Sequence, residues 1–159
     1  MFAASTTLLP CPPERVWQEV QTSQLLSYVT APLVTFQPIS PPLLPDVWGK
    51  GRYLVQMKLF GVLSLGRQWI VISKQIVDTT PGQHHYVIRD SGSGDIATTW
   101  DHIITIRETE NSNTHYTDRV EVKAGILTPL IWTFASIFYR YRQYRWRQLV
   151  QRNFAYPRS

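Results

Sequence analysis

Three side chains in this sequence, His102, Asp118 and Arg142, are of the types that can orient or activate a polar group. An imidazole held by a carboxylate can accept a proton from a bound molecule, and a guanidinium can hold an oxygen that gains charge. The same three could instead fix the polar head of a ligand, or satisfy one another as a buried cluster at one end of a core. The residues alone leave these readings open. Whether the three meet depends on strand parity and on helix angle.

From Ala97 to Glu108 the side chains of Trp100, His102, Ile104 and Ile106 fall on one face of a strand. From Thr114 to Lys123, Tyr116, Asp118, Val120 and Val122 share one face, while His115, Thr117, Arg119, Glu121 and Lys123 share the other. The apolar sets are expected to face inward. A hairpin turning near Asn111 sets Ile104 opposite Asp118 and His102 diagonal to it, close enough for the two side chains to interact.

Thr128-Pro129 reads as the cap of a helix that no Gly or Pro interrupts before about Arg152. At about 100° per residue, Ile131, Phe134, Ala135, Phe138, Tyr141 and Leu149 form one stripe roughly 120° wide. Arg142 and Arg145 lie inside that stripe, and Arg140 and Arg147 lie opposite it. A guanidinium on the core side must be met by a carboxylate, by carbonyls or by an anionic ligand. The alternative is that the sheet ends before residue 142 and both arginines reach water along their stems.

The remaining elements frame these groups. Phe2 to Leu9 reads as a first strand, and two short helices follow, one opening at Cys11-Pro-Pro-Glu14 and one capped by Thr22 or Ser23 and stopped by Pro32. Leu33 to Gln37 reads as a strand, and Pro38, Pro41, Pro42 and Pro45 as a stiff loop that is no central strand. Lys50 to Phe60, Arg67 to Val77, His84 to Arg89, Ala97 to Glu108 and Thr114 to Lys123 then read as an antiparallel meander. Its expected turns are Gly61 to Ser64, Asp78 to Gly82, Ser91-Gly-Ser-Gly-Asp95 and Glu110 to Asn113. The fold class is α+β: a curved antiparallel sheet of six to seven strands, with a long C-terminal helix packed over a cavity.

With 43% apolar, 17% charged and 13% aromatic residues, the 159-residue chain has the composition of one globular domain, 1–159, able to fold without metal or disulfide. Cys11 is the only cysteine, which excludes an intramolecular disulfide and a cysteine-based zinc site. A reducing compartment, the cytoplasm, is the expected location. The N-terminus lacks a charged start before its short apolar stretch, so export is not expected, and the apolar run Ile126 to Tyr139 is too short to span a membrane.

Seven of the sixteen Lys and Arg, and none of the eleven acids, lie between Val122 and Ser159, so residues 1–121 carry a formal −2 and the last helix holds the basicity. Its run from Tyr139 to Arg147 interleaves arginines with aromatics, the composition of a nucleic-acid or lipid-interface element. Helical angles scatter those arginines around the axis, so nucleic acid is not an expected partner, while peripheral membrane contact is allowed. His84-His85 would face opposite ways on a strand, and no nucleotide, hydrolase or zinc-protease motif occurs. No cofactor and no metal are expected.

In order along the chain, Trp100-Asp-His102, Tyr116-Thr-Asp-Arg-Val120 and Phe138-Tyr-Arg-Tyr-Arg142 resemble a bacterial group of the START-like or SRPBCC superfamily. This is the helix-grip fold shared with birch-pollen-allergen-like proteins and polyketide cyclases. The resemblance covers nearly the whole chain and implies a cavity between sheet and helix that takes apolar ligands. In many members of the group a His follows the helix Arg, where this chain has Gln143. The expected function is therefore a binding or carrier domain for an apolar or amphipathic small molecule such as a lipid, polyketide or aromatic. Tyr53, Val55, Met57, Trp100, Ile104, Tyr116, Val120, Phe134 and Phe138 would line the site, and His102, Asp118 and Arg142 would form its polar end. One alternative is a cyclase or dehydratase using His102, Asp118 and Arg142; another is a basic-helix module for anionic membrane or RNA.

Overall fold

A computed structural model describes residues 1–157. The chain runs β1 (Phe2–Leu9), α1 (Pro13–Val20), α2 (Ser23–Thr30), β2 (Val34–Ser40), β3 (Gly51–Leu59), β4 (Leu63–Asp78), β5 (His85–Gly94), β6 (Thr99–Glu108), β7 (Thr114–Lys123), a 3-10 turn (Gly125–Leu127) and α3 (Thr128–Gln151). The strands form one antiparallel sheet in the order β1-β7-β6-β5-β4-β3-β2. Strands β3 to β7 are the expected meander, and the first two strands in the chain become its two edges.

Local chemistry explains the short helices. Pro13 occupies the first turn of α1, where its missing N–H costs nothing, and Glu14 sits at the same positive end. Thr22 caps α2 by accepting the Leu25 N–H at 3.1 Å. Both helices turn Val16, Val20, Leu25 and Val29 into the main core, where Leu9, Ile106, Tyr116, Trp146 and Leu149 meet them.

Four boundaries depart from the sequence expectation, the first being β4, which begins not at Arg67 but at Leu63, inside the expected turn Gly61 to Ser64, where Leu63 and Ser64 already pair with Leu59 and Lys58. Strand β2 continues through Pro38 to Ser40; it is an edge strand, so the missing proline N–H breaks no central ladder, and the register shifts between Pro38 and Ser40. Strand β5 does not turn at Ser91 but runs on to Gly94, pairing Gly92 with Trp100 and Ser93 with Trp69. The glycines there serve close approach rather than turning: a Cβ on Gly92 would collide with the Trp69 carbonyl, and one on Gly94 with the Arg67 carbonyl. Finally, Thr128 does not cap α3. It is the helix's first residue, and its Oγ1 accepts the Ala124 N–H and donates to the Gly125 carbonyl, both at 2.8 Å, which ties the 3-10 turn to the helix.

The 24 residues of α3 span about 36 Å at 1.5 Å per residue. The helix lies along β1 and β7 with α2 on its other flank. Among the described residues no helix is long and apolar enough to cross a membrane.

Candidate functional site

Sheet and α3 enclose a cavity of about 320 Å³, a size at the lower end of small-molecule pockets. Its walls come from α2 and β2 (Leu25, Val34, Phe36), the middle strands (Met57, Ile70, Ile72, Ile88, Ile104) and α3 (Ile131, Phe134, Phe138). The polar side chains at the wall are few: Gln68, Asp90, His102 and Arg142, with the amphipathic Trp100 and Tyr139 beside them.

The hairpin of β6 and β7 has the expected register, with Ile104 paired to Asp118. His102 Nε2 lies 2.8 Å from Asp118 Oδ1, and both residues are buried. The Tyr116 hydroxyl donates to the same oxygen at 3.3 Å, and Gln143 Nε2 donates to Asp118 Oδ2 at 3.2 Å. Burial pushes the Asp118 pKa up, but the Arg142 charge and the His102 and Gln143 hydrogen bonds together carry it below the ordinary carboxylate value. Burial also lowers the His102 pKa, against the pull of Asp118, so the imidazole is neutral near pH 7. An ionised Asp118 fixes the tautomer: Nε2 bears the proton and donates it to the carboxylate.

The sheet does not end before residue 142. Asp118, His102 and Asp90 pass beneath α3, and Arg142 is only 5% exposed. Its guanidinium lies 5.1 Å from the Tyr139 ring centroid and 5.9 Å from that of Phe138. Burial opposes its charge, and Asp118 with Tyr116 and Tyr139 outweighs that opposition. Even so, Arg142 Nε is buried with no hydrogen-bond partner, and no carboxylate among the described residues forms a salt bridge with this arginine. Arg145 meets the protein instead, donating from Nε and Nη2 to the Tyr28 carbonyl at 3.3 Å and lying 4.2 Å from the Tyr28 ring. Arg140 and Arg147 are exposed, and Arg147 also donates to Thr7 Oγ1 at 3.0 Å.

Of the residues expected to form the site, Met57, Trp100, His102, Ile104, Phe134, Phe138 and Arg142 reach the cavity, whereas Tyr53, Val55, Tyr116, Asp118 and Val120 do not. All five have the inward parity and are covered by something the strand pattern cannot show. Trp48, from the proline-rich loop, packs on Val55 and stands edge-on to Tyr53 with ring centroids 5.1 Å apart. Because α3 lies along β7, Trp146 covers Tyr116, and Ala135 and Phe138 pack with Val120. Asp118 sits one layer back, bonded to His102, Tyr116 and Gln143.

Four polar members of the site escaped the sequence reading. Asp90 shares its parity with the inward Tyr86 and Ile88, but a turn placed at Ser91 hides it. Burial raises the Asp90 pKa to about 7, against the Val71 N–H donated to its carboxylate at 2.7 Å and the charge of Arg142. Gln68 alternates with Ile70 and Ile72, a polar residue in an apolar series that parity could have found. Tyr139, whose hydroxyl accepts from Trp100 Nε1 at 3.2 Å, and Gln143 lie outside the expected stripe, because α3 is buried on two sides.

Other groups of chemical interest are engaged in the fold. Burial raises the Cys11 thiol pKa to about 11 despite the nearby Arg15, so it is an inert core residue. His84 lies between Glu108 and Glu14, 2.5 Å and 3.0 Å away, and no group of three or more His, Cys, Asp or Glu among the described residues is placed to hold a metal ion.

The architecture recurs among solved structures. TTHA0849 from Thermus thermophilus superposes with a TM-score of 0.63 at 12% identity, over 98% of this chain and 100% of its own. A START superfamily protein from Mycobacterium smegmatis gives a TM-score of 0.63 at 12% identity, over 95% of this chain and 97% of its own. This chain has a START-like helix-grip fold. The Zhui aromatase/cyclase from Streptomyces sp. R1128 shares it at a TM-score of 0.50 and 13% identity, over 94% of this chain and 90% of its own. No protein-family model and no curated protein sequence matches the chain. At these identities the likeness carries the fold, and function has to be argued from the site.

Proposed function

We propose that this START-like chain is a single binding or carrier domain that holds an apolar or amphipathic small molecule between its sheet and α3. The observation that carries the reading is the cavity of about 320 Å³, apolar on most of its wall, with Arg142, whose buried Nε has no partner, among its few polar residues. A buried guanidinium N–H without an acceptor is costly unless something else supplies one, and a bound molecule with a polar head beside Arg142 does so. Met57, Ile104, Phe134 and Phe138 would hold its apolar body, and His102, Trp100 and Arg142 would orient its head. Native mass spectrometry of gently purified protein tests this. A small molecule released on denaturation, and retained less by Arg142→Gln, is the expected result; protein that carries nothing and binds no hydrophobic dye would refute it.

One observation favours a second reading, an enzyme of the cyclase or dehydratase sort. His102 commits Nε2 to an ionised Asp118, and Nδ1 forms no hydrogen bond among the described residues, so a lone pair stays available at the cavity wall. In that reading His102 would serve as general base with Asp118 as its orienting acid, and Arg142 would hold the enolate oxygen.

A further inference from the structure

The polar end of the cavity brings one cation together with two carboxyl groups, and their contacts are unequal. Asp118 stands behind the wall with both oxygens engaged by His102, Tyr116 and Gln143. Arg142 stands at the wall with Nε unpartnered. Asp90 also lines the cavity, and one of its oxygens takes the Val71 N–H. Facing Asp90 are Arg142 and Tyr139 from α3, His102 from β6 and the neutral Gln68 from β4, while the Asp101 charge acts on it from the other face of the sheet.

A guanidinium at the dry end of an apolar cavity requires oxygen acceptors, and its planar fork of N–H groups is matched by the two oxygens of a carboxylate. A lone carbonyl would leave most of the fork unmet. Charge balance then constrains Asp90. With Asp118 ionised, an entering carboxylate sets two negative charges against the single charge of Arg142, and a third on Asp90 would be unsupported in a low-dielectric site. A protonated Asp90 instead offers an O–H to the entering carboxylate, two acids sharing one proton.

We propose that the molecule gripped here is an apolar carboxylic acid, bound as its anion by Arg142, and that Asp90 takes up one proton from solvent as it binds. The proposal rests on the binding reading above and narrows it to one ligand chemistry. The only bond formed is the O–H on the Asp90 carboxyl, its proton coming from solvent. Because burial holds the free Asp90 near a pKa of about 7, the carboxyl is already protonated at lower pH and affinity is flat there. Above that value each bound molecule must draw a proton from solution, and affinity falls about tenfold per pH unit.

Isothermal titration of the whole protein with dodecanoic acid and with dodecan-1-ol tests this without any substitution. The acid is expected to bind more tightly than the alcohol, and its affinity to fall about tenfold between about pH 6 and about pH 8. Asp90→Asn, which retains an acceptor for the Val71 N–H, is expected to keep the preference for the acid and lose its pH dependence. Dodecan-1-ol binding as tightly as the acid, or acid binding by the unmodified protein that does not change with pH, overturns the proposal and leaves the binding domain standing. If neither probe binds and Nile red does not bind either, the binding reading falls and the proposal with it.

Discussion

Replacing Asp118 with Asn tests whether the buried polar cluster is one cooperative unit. Asp118 is 1% exposed and accepts from His102, Tyr116 and Gln143. An Asn in its place can still accept from His102 and Tyr116 through its carbonyl. Its amide would then face the Gln143 amide, donor against donor, and Gln143 is fixed because its carbonyl accepts from Ser5 Oγ at 2.8 Å. The larger loss is the charge that offsets Arg142. Breaking a buried pair in contact from one side costs about 3–5 kcal/mol; Asp118 acts on Arg142 without a salt bridge, so a loss near the lower end, about 3 kcal/mol, is expected. For a chain of this size that corresponds to a fall in melting temperature on the order of 6–12 °C.

The measurement is chemical denaturation at neutral pH of Asp118→Asn, Arg142→Met and the double variant. The double variant is expected to be more stable than the sum of the two single losses allows, by at least about 1 kcal/mol, since Met leaves no orphaned charge. The pH dependence has a definite sign: the folded pKa of Asp118 is depressed, so its contribution is present above the unfolded carboxylate pKa and disappears as pH falls through the folded value. Asp118→Asn should therefore lose its deficit relative to the unmodified protein in acid. A loss below about 1 kcal/mol, or strict additivity in the double variant, would refute the claim that Asp118 stabilises Arg142.

Asp90 gives the opposite slope. Its folded pKa of about 7 lies above the ordinary 3.8, so its contribution to stability declines as pH rises between those values. Asp90→Asn should gain on the unmodified protein over that interval, by up to roughly 4 kcal/mol; denaturation curves whose difference does not change with pH would contradict a titrating carboxyl at the cavity wall. Gly92→Ala places a methyl against the Trp69 carbonyl, and a loss of roughly 1–3 kcal/mol is expected. An unchanged melting temperature would mean that β5 turns away before Gly92, as its sequence suggests.

Elements whose residues alternate cleanly were legible from sequence, and the site was legible where such elements carry it. Strand β7 alternates Tyr116, Asp118, Val120 and Val122 without interruption, and the parity that places Asp118 beside His102 holds in the structure. Strand β5 misleads because Ser91-Gly-Ser-Gly94 has the composition of a turn. Only the neighbouring β4 backbone explains those glycines, and no local signal carries that contact. Losing five residues of strand also hid Asp90, the one carboxyl at the cavity wall among the described residues. Parity likewise separates inward from outward but does not separate cavity from core. Val55 and Met57 share a face of β3, and Trp48, from a loop between β2 and β3, decides that Val55 is core.

The same limit explains the breadth of the buried face of α3. A single stripe assumes that a helix rests on one partner, whereas α3 has β1 and β7 on one flank and α2 on the other. Its buried residues therefore extend from Phe138, Arg142 and Leu149 round to Tyr139, Gln143 and Val150, roughly 140° of arc at 100° per residue. The two sides receive different chemistry. Toward α2, the Tyr141 hydroxyl and the Arg145 guanidinium donate to the carbonyls of Ala31 and Tyr28, which fastens that helix to α3. Toward β1, Gln143 bonds Ser5 and Arg147 bonds Thr7, which fastens the edge strand. Arg142 projects between these two lines of attachment, from a backbone held on both sides, and its Nε has no protein partner. A rigidly mounted cation facing an apolar cavity loses little freedom when it takes a ligand, which is the condition for tight and selective capture of an oxygen-bearing head.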